Sequence, residues 1–207
     1  MKAFTTHEGL CAVLSRDDVD TDQIIPKQFL KRTDRNDYGD ACFLDWRYDD
    51  QGQLRGDFEL NEPSYQGASI LITGRNFGCG SSREHAVWAL LGMGFSVVIA
   101  SSFADIFTAN ALQNGLLPVQ LPEDAVVRLR QRAAGGGYRL AVDLEMQQVR
   151  DRGGLIAEFA IDPFWRDCLL TGHDPIAMAL THEAAISEFE ATRPGWRPVT
   201  TAKGVLS

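Results

Sequence analysis

The sequence predicts an α/β fold built as a single domain, and three observations carry that expectation. Short apolar runs rich in branched residues alternate with stretches of helical periodicity, the pattern of strands crossed by helices. A glycine-rich segment, Gly74 to Gly80, lies between one such run and one such stretch, where an α/β unit makes its strand-to-helix turn. The 207 residues fit one domain with an embellishment, enough to bury a core without disulfide or metal staples.

Taken in order, the first strands are expected at Ala12–Leu14, Ala68–Thr73 and Ser96–Ala100. The second leads through the glycine turn into a helix from about Arg83 to Met93. The third leads into Phe103–Leu112, where Phe103, Ile106, Phe107 and Ala111 recur at helical spacing. Asn114-Gly115 breaks that helix, and Leu116–Leu121 makes the next strand. Pro122 opens a helix to about Arg132, which Gly135-Gly136-Gly137 ends. Tyr138–Val149 and Leu155–Ile161 read as a hairpin around Asp151–Gly154, followed by C-terminal helices at Pro163–Leu170 and Pro175–Thr192. Between the first two strands, Lys31–Gly67 is a long irregular excursion crowded with Asp, Arg, Gly and aromatic residues. Such a segment is either a surface excursion with its own small cluster or a partner-docking element. The domain is expected to span residues 1–195, with 196–207 a mobile or partner-docked tail.

A net charge of −8 argues against a nucleic-acid binder, since nothing here would neutralise a phosphate backbone, although a local basic pocket is compatible with it. Met1–Gly9 lacks a basic-then-apolar leader pattern, and runs such as Ala86–Leu91 and Val97–Ala100 are too short to span a membrane. A cytoplasmic location is expected. Cys11, Cys42, Cys79 and Cys168 are scattered, without a Cys-x-x-Cys pair or histidines at zinc-finger spacing. Neither a self-contained zinc site nor an iron–sulfur site is written in the sequence.

The strongest chemical signal runs from Gly74 through Gly78-Cys79-Gly80-Ser81-Ser82-Arg83-Glu84-His85-Ala86. Glycines at 74, 78 and 80 permit positive φ and close approach of backbone to a ligand. The unpaired amides of a helix start favour an anion, and Arg83 offers a planar fork for a carboxylate or phosphate. Two structural readings stand beside this one. Ser81 with Glu84 three residues on fits a capping box, and His85 fits a satisfied helix histidine. The segment lacks the Gly-Lys-Ser/Thr ending of a nucleotide P-loop and the geometry of a nucleophile elbow. On these residues alone it is an anion site at a helix start.

Gly80-Ser81-Ser82-Arg83-Glu84-His85-Ala86 resembles the signature of the aconitase superfamily's swivelling domain. Asp18-Val19-Asp20-Thr21-Asp22-Gln23-Ile24-Ile25-Pro26 resembles a second element of that family, in the same order. Ser101–Phe107 and Asn110–Leu117 are similar to its next helix and strand, and the Asp162-Pro163-Phe164 ending is similar to the bacterial leucine-pathway small subunits. The resemblance implies a β/β/α swivelling domain. It further implies the small subunit of a heteromeric hydro-lyase that isomerises 2-isopropylmalate and 3-isopropylmalate by dehydration and rehydration. Ser81 would be the catalytic base, and Ser82 and Arg83 would contact the substrate. Asp22 would support the arginine, with Thr21, Gly78 and Gly80 shaping the site. A [4Fe-4S] cluster acting as Lewis acid would sit on a separate large subunit, with the site completed at the interface. Leu30 lies where the family reads the substrate's variable arm and suits an isopropyl group. Lys31 and Arg32 beside it leave a related dehydratase of the homoaconitate, methylmalate or citraconate type open, and a non-catalytic anion-binding module is the third reading.

Overall fold

The computed structural model describes residues 1–31 and 38–193, the side chains of Leu30 and Lys31 excepted. They fall into two compact units, divided between His173 and Asp174. The first unit holds a seven-stranded mixed sheet in the order β4-β3-β2-β1-β5-β6-β7. Its parallel half consists of β1 (Thr6–Val13), β2 (Ile70–Ile72), β3 (Val97–Ala100) and β4 (Leu117–Gln120). Every residue of β2 and β3 is buried, so both faces of the sheet are covered there, which is why those strands read as unbroken branched runs.

β1 begins six residues before its expected start. Its first half, Thr6–Leu10, pairs antiparallel with β5 (Arg139–Asp143), and Cys11–Val13 pairs parallel with β2. That first half is half-exposed and polar, so no apolar run announces it. The expected hairpin is a three-stranded meander, β5, β6 (Gln148–Asp151) and β7 (Gly154–Glu158). The extra turn, between Asp143 and Gln148, carries no glycine; Gln147 takes the left-handed conformation at φ 54°, so the usual turn signal is missing.

The helices follow expectation more closely. α3 (Glu84–Gly92) and α4 (Asp105–Asn114) cross between the parallel strands and pack on each other, and Gly115 ends α4 at φ 83°. α5 (Glu123–Ala133) lies on β1, β2 and β3 through Ala125, Val126, Leu129 and Ala133, one helical stripe. Asp162 caps α6 (Pro163–Thr171), accepting from the Phe164 and Trp165 amides with Pro163 at the first turn. In the second unit the single helix expected over Pro175–Thr192 is two, α7 (Pro175–Leu180) and α8 (Glu183–Ala191), interrupted at Thr181–His182. The expected tail at 196–207 lies outside the described residues.

The described part of the excursion, from Tyr38 to Gly67, has its own structure and its own cluster. Two short helices lie in the connection from β1 to β2: α1 (Thr21–Ile24), just after β1, and α2 (Leu44–Arg47), within the excursion. Phe43 stacks on Trp46 at 5.8 Å and meets Phe58 at 5.9 Å, and the Arg16 guanidinium lies 4.2 Å over Trp46. The Phe43 amide donates to the Ile24 carbonyl at 2.8 Å, tying the excursion to α1. Tyr38 rests edge-on against His85 and Trp88 of α3. Gly39 passes so close to Gly92 that a Cβ there would lie 2.3 Å from the Gly92 carbonyl oxygen. Among the described residues no helix is long and apolar enough to cross a membrane.

Leu71, fully buried at the centre of the parallel half, tests this core. Leu71→Ala should lower unfolding free energy by about 3–5 kcal/mol in a denaturant titration. A loss under about 1 kcal/mol would show that β2 is not the packed centre described here.

Candidate active site

The two sequence motifs emerge side by side because β1 and β2 are parallel neighbours, and the loops after both strands leave from the same end of the sheet. Backbone hydrogen bonds lace the two loops together. The Gly74 amide donates to the Arg16 carbonyl at 3.1 Å, Asp18 to Arg75 at 2.9 Å, Gly78 to Val19 at 2.8 Å, and Thr21 to Cys79 at 2.9 Å. The Thr21 hydroxyl, 2 % exposed, extends the seam by donating to the Ser81 carbonyl at 2.9 Å. Arg75 spans Asp17 and Asp18, each at 3.2 Å, and the Asn76 side-chain amide donates to Asp18 at 2.9 Å. These contacts fix the glycine loop on the other motif before Ser81 is reached.

Two glycines in the loop are steric requirements. Gly78 has φ 76° and a Cβ there would lie 2.2 Å from the Phe107 ring. Gly80 has φ 89° and its Cβ would lie 2.2 Å from the Asp20 carboxylate. Asp20 is held there because it caps α1, accepting from the Asp22 amide at 2.6 Å, while Gln23 returns a bond to the Asp20 amide at 2.8 Å. The capping box therefore belongs to Asp20 and Gln23, not to Ser81 and Glu84. α3 begins at Glu84 with Arg83 as its N-cap and no side-chain cap, so Ser81 lies ahead of the helix by three residues. Glu84 instead accepts from Asn114 at 2.9 Å, which braces α3 against α4. His85 packs between Tyr38 and Trp88, as the structural reading of a helix histidine expects.

The remaining candidate residues converge. Ser81 and Ser82 are exposed, and their hydroxyls have no hydrogen-bond partner among the described residues. Arg83 has a side chain only 8 % exposed and pairs with the Asp22 carboxylate. Lys27 reaches the other Asp22 oxygen at 3.8 Å. The Arg83 hydrogen bond holds the Asp22 carboxyl below the ordinary range against the opposing effect of burial, with the charges of Arg83 and Lys27 adding to it. The pair fixes the direction of Arg83 and uses one of its five donors. Ser81, Ser82, Arg83, Asp22, Thr21, Gly78 and Gly80 thus share one place. The side chain of Leu30 lies outside the described residues.

Sequence reasoning left out Asp20 and Arg75, which hold the loop. The Asp-x-x-Gln spacing that marks Asp20 as a cap was open to the same capping-box test applied to Ser81.

The chain's residues do not fit an iron–sulfur cluster. Cys11, Cys42 and Cys168 are buried, and burial pushes the Cys11 thiol up to about 12 and that of Cys42 higher still. Cys79 stands alone near the site, its thiol raised by burial and by Asp20 and Asp18. Among the described residues no group of three or more His, Cys, Asp or Glu side chains could hold a metal ion.

Comparison with known proteins places the fold and the family. Residues 1–124 match the family model of the Aconitase C-terminal domain and 127–163 match LeuD_N. The chain is 52% identical to a 3-isopropylmalate dehydratase small subunit of Bacillus licheniformis, over 95% of this chain and 98% of that one. It is 50% identical to one of Shewanella amazonensis, over 95% and 100%. A crystal structure of 3-isopropylmalate dehydratase (leuD) from Methanocaldococcus jannaschii superposes with a TM-score of 0.61 at 27% identity, covering 89% of this chain and 99% of that one. The chain belongs to the 3-isopropylmalate dehydratase small-subunit family, and its fold is of the aconitase C-terminal type.

The Asp22–Arg83 pair makes a prediction with a definite sign. The folded-state pKa of Asp22 lies below its unfolded value, so the pair's contribution is full above the unfolded pKa of about 3.9 and is lost as pH falls through the folded value. Asp22→Asn should therefore be less stable than wild type at neutral pH, and the gap should close as pH drops below about 4. Denaturation midpoints of both proteins across that range measure it. A gap that is the same at neutral and strongly acid pH would remove the charge pair from this role.

Proposed function

We propose, from membership of this family, that the chain is the small subunit of a heteromeric hydro-lyase interconverting 2-isopropylmalate and 3-isopropylmalate through 2-isopropylmaleate in leucine biosynthesis. It works in the cytoplasm and is active only with its large subunit. The observation that carries the reading is the pairing of two exposed serines, their hydroxyls without a partner among the described residues, with a buried, carboxylate-oriented arginine on a loop laced to its neighbours.

In this reading Ser81 takes the proton from the carbon beside a substrate carboxylate. A serine hydroxyl is a weak base, so its oxyanion needs donors aimed at it in advance. The amides at the start of α3 stand just after Ser81 in the chain, and Thr21 sets the Ser81 peptide through its carbonyl. Arg83 uses donors left over from Asp22 to hold the carboxylate, and Ser82 contacts the substrate beside it. Leu30 takes the apolar arm. The [4Fe-4S] cluster belongs to the large subunit, because this chain's cysteines do not suit it. Exposure of Ser81 and Ser82 fits a site that the partner's surface closes, excluding water from the reacting atoms.

The purified chain should be inactive alone and gain isopropylmalate turnover when mixed anaerobically with an iron–sulfur large subunit. Turnover by the isolated chain would sink the shared-site reading. In the assembled enzyme Ser81→Ala should cut kcat by about 10²–10⁴-fold, the usual weight of a positioned base. Since Ser81 caps no helix, that variant should keep its thermal stability; near-normal kcat would dismiss Ser81 as the base. Arg83→Lys should weaken substrate binding by about 1.5–3 kcal/mol through loss of the planar fork, read as a rise in KM. An unchanged KM would move the carboxylate contact elsewhere.

A further inference from the structure

The glycine loop is held on a second side by the loop that leaves β3. The Asn76 amide donates to the Ser102 hydroxyl oxygen at 2.8 Å, and the Phe77 amide donates to the Ser102 carbonyl at 3.1 Å. The Ala104 amide returns a bond to the Phe77 carbonyl at 3.1 Å, making a parallel bridge between Phe77 and Phe103. Phe77 is fully buried and meets Phe103 and Phe107 edge-on. Asn76 takes the left-handed conformation at φ 53°, which asparagine tolerates better than other non-glycine residues and which local hydrogen bonds then hold in place. Its side chain is held by Asp18 and its amide by Ser102. The adjacent Ser101 hydroxyl is buried with no partner among the described residues, so the two neighbouring serines differ in this one respect.

We propose that Ser102 is a positioning residue for the site: its hydroxyl oxygen, accepting from the Asn76 amide, locks the left-handed turn from which Gly78, Gly80 and Ser81 follow. Removing it leaves the Asn76 amide without its partner and frees the turn to relax, while the aromatic contacts keep the fold. Ser81 then samples positions away from the reacting carbon, and turnover falls more than binding, since a small misplacement weighs on the chemical step. The kinetic part of this inference rests on the function proposed above; the structural part does not.

Cys79 supplies a readout independent of turnover. It lies inside the loop and is partly exposed, whereas Cys11, Cys42 and Cys168 are fully buried, so native-state thiol labelling with a disulfide reagent reports on Cys79. In the isolated chain Ser102→Ala should speed that labelling by about tenfold, the factor that follows from losing one part-buried hydrogen bond. Ser102→Thr, which keeps the oxygen, should restore the wild-type rate, and Ser101→Ala should leave it unchanged. Melting temperatures should stay within a few degrees throughout. In the assembled enzyme the same Ser102→Ala variant should lose about tenfold in kcat with KM within about twofold, again rescued by Ser102→Thr. An unchanged labelling rate, global unfolding of Ser102→Ala, or an equal effect from Ser101→Ala would overturn the inference. If labelling changes as expected while the wild-type assembly shows no isopropylmalate turnover, the positioning role stands and the proposed function falls.

Discussion

The parallel pairing of β1 with β2 is the constraint on which the site depends. Two motifs separated by a long excursion are delivered to one end of the sheet because Cys11–Val13 runs in register with Ile70–Ile72. Once both loops leave the same edge, their unpaired amides and carbonyls satisfy one another, since a backbone polar group in a half-buried place needs a partner. The sheet pairing continues as a seam from Leu14 with Ile72 to Thr21 with Cys79. Glycines at 78 and 80 follow from that seam. It brings the loop against Phe107 on one side and Asp20 on the other, closer than any Cβ would allow.

The charges at this place are arranged so that an anion could approach. Asp18, Asp20 and Asp22 lie in the motif at 18–26 and Asp17 stands just before it, in a chain whose net charge is −8. Each is already engaged: Asp17 and Asp18 with Arg75, Asp20 with the start of α1, and Asp22 with Arg83 and Lys27. The acidic residues therefore act as struts between the loops, each with a partner already in place. Arg83 gains its fixed direction from this. A long side chain loses considerable rotamer freedom when it grips a ligand, and one already held by Asp22 has lost it on folding.

The excursion contributes to the same scaffold. Its stacked Phe43 and Trp46, with Arg16 over the indole, pack beside α1, and Phe43 bonds directly to Ile24. Tyr38 and Gly39 return the chain onto α3 at His85, Trp88 and Gly92. α1 and α3, which carry Asp22 and follow Arg83, are thereby braced from outside the sheet as well as by each other.

The alternation of strand and helix from Ala68 to Ala133 was legible in the residues alone, because periodicity and the Asn114-Gly115 and Pro122 breaks are local signals written in adjacent residues. The sequence also determined that the two motifs belong together, through the family resemblance of residues 18–26 and 80–86. It did not contain the start of β1 or the third strand of the C-terminal meander. There the strand residues are half-exposed or the turn lacks glycine, and their conformation comes from pairing with a distant partner. The assignment of the capping box shows the limit most directly. Ser81-x-x-Glu84 and Asp20-x-x-Gln23 carry the same local pattern, and only the tertiary structure decided between them. The Thr21 hydroxyl ties the Ser81 carbonyl into the seam between the loops and α3 starts without a side-chain cap, while Asp20 caps α1. Local chemistry proposes both caps, and long-range hydrogen bonding permits one.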